Sequence, residues 1–432
     1  MRVISQKSMF SSNRKYCRCC IAIILSMIFI STFWPTGRSH FADNTIYVDD
    51  GNTQGPWDGT LQHPYQHIQD GIDNAHSGNT VYVFNGSYHE SVLIPGVYHQ
   101  YPTQNKTITL IGENRESTLL DGFIWIAADS SNVSGFTIYN STNSSRGQGI
   151  FVGSNHNSIT NNNIQNCGDG IWLCDWYRGS TYNMVSDNTI TDNWFCGLRV
   201  SGRENTVKNN DINNNWNAGI DIGFGSPSNF NYFSNNTVSN NEGGIKLWSS
   251  RNNVFHGNII TKNNGRGLYL TGSNNNIISN NSVDYNSEEG IVFETSSYNI
   301  VTGNKVVDNK DGININQGSS KNNVSSNNIS RNAYGIWNVI WSDNNTIFDN
   351  DLTKNICGIY LSNSHDLQIV KNRFSLNKIA ATFVICKRVV WDGNYWNKPQ
   401  STPKPIFGLK AGIFIQFKTP QIMIDWHPAK SY

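Results

Sequence analysis

One position of a repeating unit carries, in chain order, Phe151, Trp172, Arg199, Asp221, Lys246, Tyr269, Val292, Asn314, Trp337 and Tyr360. Each stands two residues after a glycine, with Ile or Leu between them. Stacked in register, they would form a ribbon with aromatic rings at both ends and an Arg–Asp–Lys step in its middle. Aromatic rings pack on the flat faces of sugars, and charged groups between them can grip hydroxylated or acidic units. Trp172, Arg199, Asp221, Lys246 and Tyr269 are therefore the candidate substrate-binding residues, and a linear glycan is the ligand that suits them. The alternative is a cross-strand charge ladder of Arg199, Asp221 and Lys246 that only stabilises a sheet.

The corner segments between 167 and 205 hold Asp169, Asp175, Trp176, Tyr177, Arg178, Trp194, Arg203 and Glu204. The wider spacing from Gly170 to Gly197 marks an insertion, and insertions in repeat proteins bulge from one face near a binding site. Asp175 and Arg178 join the candidate substrate contacts on that ground. Paired carboxylates there could act as acid and base on a glycoside, or hold calcium for a lyase. No metal site is expected elsewhere. His63 and His67 are four apart, but Pro64 lies between them, and beyond the leader the only methionines are Met184 and Met423.

The elements that must position these residues are short strands. A phrase Asn-x-(Ile/Val/Leu/Phe)-x-x-Asn recurs from Asn188 to Asn377, with a degenerate copy at Asn162 in which Cys167 takes the second Asn position. Its period of about 22 to 26 residues is that of a solenoid. A Gly-(Ile/Leu) series runs from Gly149 to Gly358, and Ala381 fills the eleventh slot. After each glycine the residues alternate apolar and variable, which is a strand with one buried face. The expected fold is all-β, a single-stranded right-handed parallel β-helix with an N-terminal capping helix and an irregular C-terminal cap. Asn columns would ladder along the bends and accept the left-handed backbone of a corner. Asn338 falls where its neighbours have an inward aliphatic, and a bulge is expected there.

Formal net charge is +1 over 432 residues, without a Lys/Arg run beyond the N-terminus, which argues against nucleic acid as a partner. Arg14, Lys15 and Arg18 precede an apolar run from Cys19 to Trp34. That is an export signal, or a membrane anchor if it is left uncleaved, and it places the rest outside the cell or at its surface. Cys167, Cys174, Cys196, Cys357 and Cys386 follow the leader. Cys174 and Cys196 could pair across neighbouring coils, or all five could be small buried residues.

The organisation expected is a signal or membrane segment at 1–42, an opening region with the first coils at 43–148, regular coils at 149–385 and a cap at 386–432. Within the opening region, Ile68, Ile72 and Ala75 fall at helical spacing, and that helix would close the open end of the solenoid.

The Gly-Ile strand followed by Asn-x-Ile-x-x-Asn, the Tyr47-Val-Asp-Asp opening and the helix before Thr80-Val-Tyr-Val-Phe84 resemble NosD-type proteins of the pectin-lyase-like superfamily. Gly393-Asn-Tyr-Trp396 and Asp425-Trp-His-Pro-Ala429 are similar to endings of archaeal surface proteins of this kind. The resemblance covers about residues 46 to 430. It implies the β-helix fold, and a carbohydrate-binding or sugar-hydrolase module is one use of that fold. NosD proteins are implicated in copper handling, but the dispersed histidines and scarce methionines do not carry that role over. The Asn-Thr-Asp, Asp-Asp, Gly-His-Gly and Arg-Ile-Lys set of polygalacturonases is absent in order, as is the calcium-binding Gly-Gly-x-Gly-x-Asp nonapeptide. The expectation is an exported β-helix that binds polysaccharide or packs in the cell envelope, without cofactor. A glycan lyase, hydrolase or epimerase is the first alternative, and a NosD-like maturation factor for a copper enzyme the second.

Overall fold

The computed structural model describes residues 44–96, 105–140, 147–174, 180–398, 401–411 and 418–429. The apolar segment expected to export the chain lies outside these residues, as do Asp175 and Arg178. Three long sheets of 15, 15 and 14 strands run the length of the described chain, and up to a terminal hairpin each strand pairs in parallel with the strand one coil away. This is the right-handed parallel β-helix that the repeat implies. Sheet 1 opens with Thr45–Val48 and sheet 2 with Val92–Ile94, while sheet 3 opens with Gly86–Tyr88.

Strands of three to six residues suffice because every coil buries only a few side chains, and the coils above and below complete the core. Ile190, Ile212, Val238, Ile260 and Val283 follow one another in sheet 3 register, all fully buried. Phe233 and Phe255 stack in the core of sheet 1 with ring centroids 5.0 Å apart. The glycine column beside sheet 2 is fixed by close approach of backbones. A Cβ on Gly244 would lie 2.2 Å from the carbonyl oxygen of Gly267. Ala380, rather than Ala381, occupies this slot in the last coil, since Ala381 pairs with Ile359. The next strand joins sheet 2 only at Phe383 and Val384, so no backbone crowds Ala380 in the way that excludes a side chain from the earlier coils.

Three asparagine ladders bind the coils at their corners. One runs from Asn162 through Asn188, Asn210, Asn236 and onward to Asn394. The second runs from Asn193 to Asn377, and Cys167 still donates its backbone N–H to the Asn193 amide oxygen. The third, from Asn157 to Asn345, lies five residues ahead of the first in each coil. Asn258 shows the pattern. Its backbone N–H and its Nδ2 both donate to Asn281 Oδ1, at 2.8 and 3.0 Å, and Nδ2 also donates to the Phe233 carbonyl at 3.0 Å. Its own Oδ1 accepts the matching pair from Asn236. The left-handed backbone falls one residue earlier than the ladder: Asn235 has φ 54°, and Lys262, Asp308 and Leu376 take the equivalent position in other coils. The ladder amides are thus selected for hydrogen bonding and not for their backbone conformation.

Asn338 is a fully buried amide in unbroken register between Ile315 and Leu361, and no bulge forms. Its Nδ2 donates to the Ser342 carbonyl at 2.9 Å, and its Oδ1 accepts from Asn345 Nδ2 at 2.9 Å. The next coil offers Leu367 where the third ladder would continue, so Asn338 Oδ1 replaces the missing ladder oxygen and joins the Ser319 and Ser342 carbonyls as an acceptor for Asn345 Nδ2.

Both ends are closed. The helix Ile68–Asn74 buries Ile68 and Ile72, and its first N–H groups donate to the Glu90 carboxylate at 2.7 and 2.9 Å. At the other end, Val390–Asp392 and Tyr395–Trp396 extend sheets 1 and 3. The cap is then an antiparallel hairpin, Lys404–Ala411 with Lys418–Asp425, joined to the end of sheet 2. The buried Asp425 carboxylate accepts from Asn394 N and Nδ2 and from Trp396 Nε1, at 3.0 to 3.1 Å, and so ends the first ladder.

Leaving buried donors without an acceptor costs about 1–3 kcal/mol. Asn258→Ala strands two donors on Asn236, and it is expected to destabilise by about that amount. Exposed Asn240→Ala, which takes no ladder position, should cost about 1 kcal/mol through its left-handed backbone. Urea unfolding midpoints of the two variants measure the difference, and equal losses would contradict the ladder account.

Candidate functional site on the outer face of sheet 2

Strand alternation puts Ile171, Leu198, Ile220, Ile245 and Leu268 in the core and turns the residue after each outward. Register pairs Phe151, Trp172, Arg199, Asp221, Lys246, Tyr269, Val292, Asn314, Trp337 and Tyr360 coil by coil, so the ribbon exists as one column. Trp125 extends it upstream. Trp125, Phe151 and Trp172 meet edge to face at 5.9 and 5.5 Å.

The middle of the ribbon is a closed cluster, not a row of free charges. The Arg199 guanidinium bonds Asp169 at 3.0 Å, lies 5.2 Å from the Trp172 ring centre and is covered by Phe224 at 4.6 Å. Asp221 is buried and accepts from Trp248 Nε1 at 3.0 Å, with the Cys196 thiol 3.9 Å from its other oxygen. Lys246 reaches sideways to Asn217 Oδ1 at 2.9 Å. One coil on, Tyr269 donates to Glu294 at 2.5 Å, and Arg266 stacks on the Tyr269 ring at 4.5 Å while bonding Glu289 at 3.1 Å.

Burial raises the carboxyl pKa of both Asp169 and Asp221, against the opposing pull of Arg199. Burial also pushes the Cys196 thiol up to about 12, so it is no nucleophile at neutral pH. Tyr269 is held protonated by burial and by its bond to Glu294. Oxygen atoms of both aspartates are engaged by protein donors, and neither side chain is open to a substrate. The described cysteines are all buried, and Cys174 and Cys196 form no disulfide with each other.

Sequence reasoning missed the exposed rings on either side. Trp194 (49% exposed) and Trp216 (69%) lie 4.8 Å apart at the corner leading into sheet 2. Phe224 and Trp248 are exposed at the corner leading out. Together they flank the Arg199–Asp221–Lys246 step. Only Trp194 had been singled out, among the corner residues. Two of the others were within reach of the repeat: Trp216 follows a ladder Asn as Trp194 does, and Trp248 is the next outward residue after Lys246 in its strand. Several buried polar atoms on the ribbon have no hydrogen-bond partner: Arg199 Nε, Asn314 Oδ1 and Trp337 Nε1.

The fold and this outer face define a β-helix protein of pectate-lyase-like architecture. The chain belongs to the NosD family, whose model, described as periplasmic copper-binding protein (NosD), matches residues 72–288 and 262–408. No curated protein sequence matches it. Among solved structures it is similar to the A-module of the mannuronan C-5 epimerase AlgE4 of Azotobacter vinelandii, at 16% identity and TM-score 0.61, over 72% of this chain and 97% of that one. The A-module of AlgE6 from the same organism gives 18% and 0.58, over 66% and 88%. The catalytic domain of a GH87 α-1,3-glucanase gives 13% and 0.51, over 74% and 66%. At these identities the likeness is one of fold.

The family description implies copper, and the described residues do not fit it. Copper takes imidazole, thiolate and thioether ligands. Among the described residues no three His, Cys, Asp or Glu side chains converge as a metal site. Met184 sits in sheet 1 and Met423 in the terminal hairpin. Cys196 has the Arg199 cation 3.8 Å away, which opposes a bound metal ion.

Asp221 ionises less readily in the folded chain than at its ordinary 3.8. Native stability is therefore expected to fall as pH rises past that value through the raised folded pKa. Asp221→Asn keeps an acceptor for Trp248 but removes the titration. Its stability relative to the parent should increase in urea titrations as pH rises above the ordinary 3.8. A difference independent of pH would refute the assignment.

Proposed function

We propose that this is an exported β-helix protein that binds a polysaccharide across the outer face of sheet 2. The observation that carries the reading is the set of exposed rings, the pair Trp194 and Trp216 together with Phe224 over Arg199 and Trp248 on Asp221, around the Arg199–Asp221–Lys246 step. Rings offer flat apolar faces to sugar C–H groups, and the polar floor between them offers donors and acceptors to hydroxyls. The role expected of Trp172, Arg199 and Asp221 changes accordingly. They form the buried support of the face, while the corner aromatics make contact. The epimerase and glucanase folds act on polysaccharides by their names, and the family is described as periplasmic; both support an exported, glycan-facing role. Asp175 and Arg178, close in sequence to Trp172, remain proposed contacts of the same ligand.

The engaged state of Asp169 and Asp221 favours binding over catalysis. A copper-maturation role draws support from the family description alone, against the donor set above.

A screen of the full chain against immobilised glycans tests the proposal. Trp216→Ala and Trp248→Ala should each weaken retention of the bound glycan on the order of ten-fold, about 1.4 kcal/mol. Tyr298→Ala, an exposed ring at the corner before sheet 1, should leave it unchanged. Equal binding by all three variants would refute the site. Release of shortened, unsaturated or epimerised sugar would replace binding by catalysis.

A further inference from the structure

The terminal hairpin carries an apolar face that nothing in the described chain covers. In its antiparallel register Pro405 opposes Ile424, Phe407 opposes Ile422 and Leu409 opposes Pro420. Alternation puts these six on one side, while Ile406 and Met423 turn the other way into the β-helix core. Phe407 is 64% exposed and Ile422 55%, and Trp426, just beyond the strand, is 63% exposed. A cap that only closed the solenoid would need the inner side alone. The outer side could have been polar at no cost to the core.

Charge says what the face meets. The chain as a whole is balanced at +1, yet residues 371–432 contain ten Lys or Arg, of which Arg373 and Arg388 are paired with Asp351 and Asp366, and two Asp. One of the two, Asp425, is buried and committed to Asn394 and Trp396. Lys378 and Lys387 are exposed at the two ends of Ile379–Val384, the last parallel strand of sheet 2, against which the hairpin pairs. An apolar, aromatic-bearing surface flanked by lysines is the pattern of a protein that lies on an anionic bilayer. The rings and aliphatics enter the headgroup boundary, where Trp is favoured, and the ammonium groups meet lipid phosphates.

We propose that the C-terminal hairpin docks this end of the β-helix on an anionic lipid surface. The hairpin continues sheet 2, so this face lies at the far end of the same outer side, beyond Tyr360 and Thr382 and seven strands past the one that carries Lys246. The contact is distinct from any anchorage by the apolar segment at 19–34.

Vesicle co-sedimentation of the full chain tests the proposal, with phosphatidylcholine alone and with phosphatidylcholine containing phosphatidylglycerol. Two variants are compared with the parent: Phe407→Ser with Ile422→Ser and Trp426→Ser, and Lys378→Gln with Lys387→Gln. The altered side chains are exposed, and unchanged circular dichroism verifies the fold. Each lysine near an anionic surface contributes roughly five-fold to partitioning. The lysine variant should therefore lose on the order of ten-fold or more of the phosphatidylglycerol-dependent binding. The apolar variant should lose a similar share, and binding to phosphatidylcholine alone through residues 19–34 should be equal in all three. Parent-like binding by both variants, or no preference for phosphatidylglycerol, would overturn the proposal. So would sedimentation velocity showing a dimer that the apolar variant abolishes while vesicles bind none of the proteins.

Discussion

The amide-to-amide hydrogen bond between successive coils is the constraint on which the architecture rests. A ladder Asn side chain accepts from the coil before it and donates to the coil after it, and it also ties back to a backbone carbonyl. Corners are where a parallel β-helix is weakest, because the backbone there leaves its sheet and exposes N–H groups that need partners. Three buried amides in each regular coil satisfy them and hold successive corners in vertical register. With the corners fixed, each strand needs only one or two inward aliphatics. The intervening side chains are free to vary, and they make up the outer face of sheet 2.

That outer face shows how much of a site can be read from alternation. The column from Phe151 to Tyr360 was legible because inward and outward positions switch strictly after every glycine. Its condition was not. Arg199 folds over Trp172 under Phe224, and Trp248 reaches back to Asp221 from the next coil. Such contacts depend on side-chain length and rotamer across coils, which a single-strand pattern does not encode. Of the exposed rings that complete the face, Trp216 repeats the position of Trp194 after a ladder Asn and Trp248 is the next outward residue after Lys246, while Phe224 lies beyond the strand pattern.

The ladders divide the same way. Two of them were plain in the six-residue phrase, and the third lay five residues upstream, at the spacing that separates the other two. Reading that interval backwards would have found Asn183, Asn205 and Asn231. The position of Asn338 was harder. A buried amide among aliphatics reads as a defect until Leu367 is seen to interrupt the third ladder one coil later. Two irregularities that look unrelated in sequence are a single compensated exchange in three dimensions. Likewise the left-handed corner residue and the ladder residue are neighbours, not one and the same, and an Asn-rich sequence conceals the distinction.

Asp425 has an outcome for the evolution of length. Asparagine carries both an acceptor and donors, so a column of it has no natural last member and invites another copy on top. A carboxylate only accepts, and it leaves nothing to offer a newcomer. Gain or loss of a whole unit anywhere between Glu90, which receives the helix, and Asp425 would preserve both termini. Chains of this architecture can therefore differ in reach by discrete steps without growing into fibres.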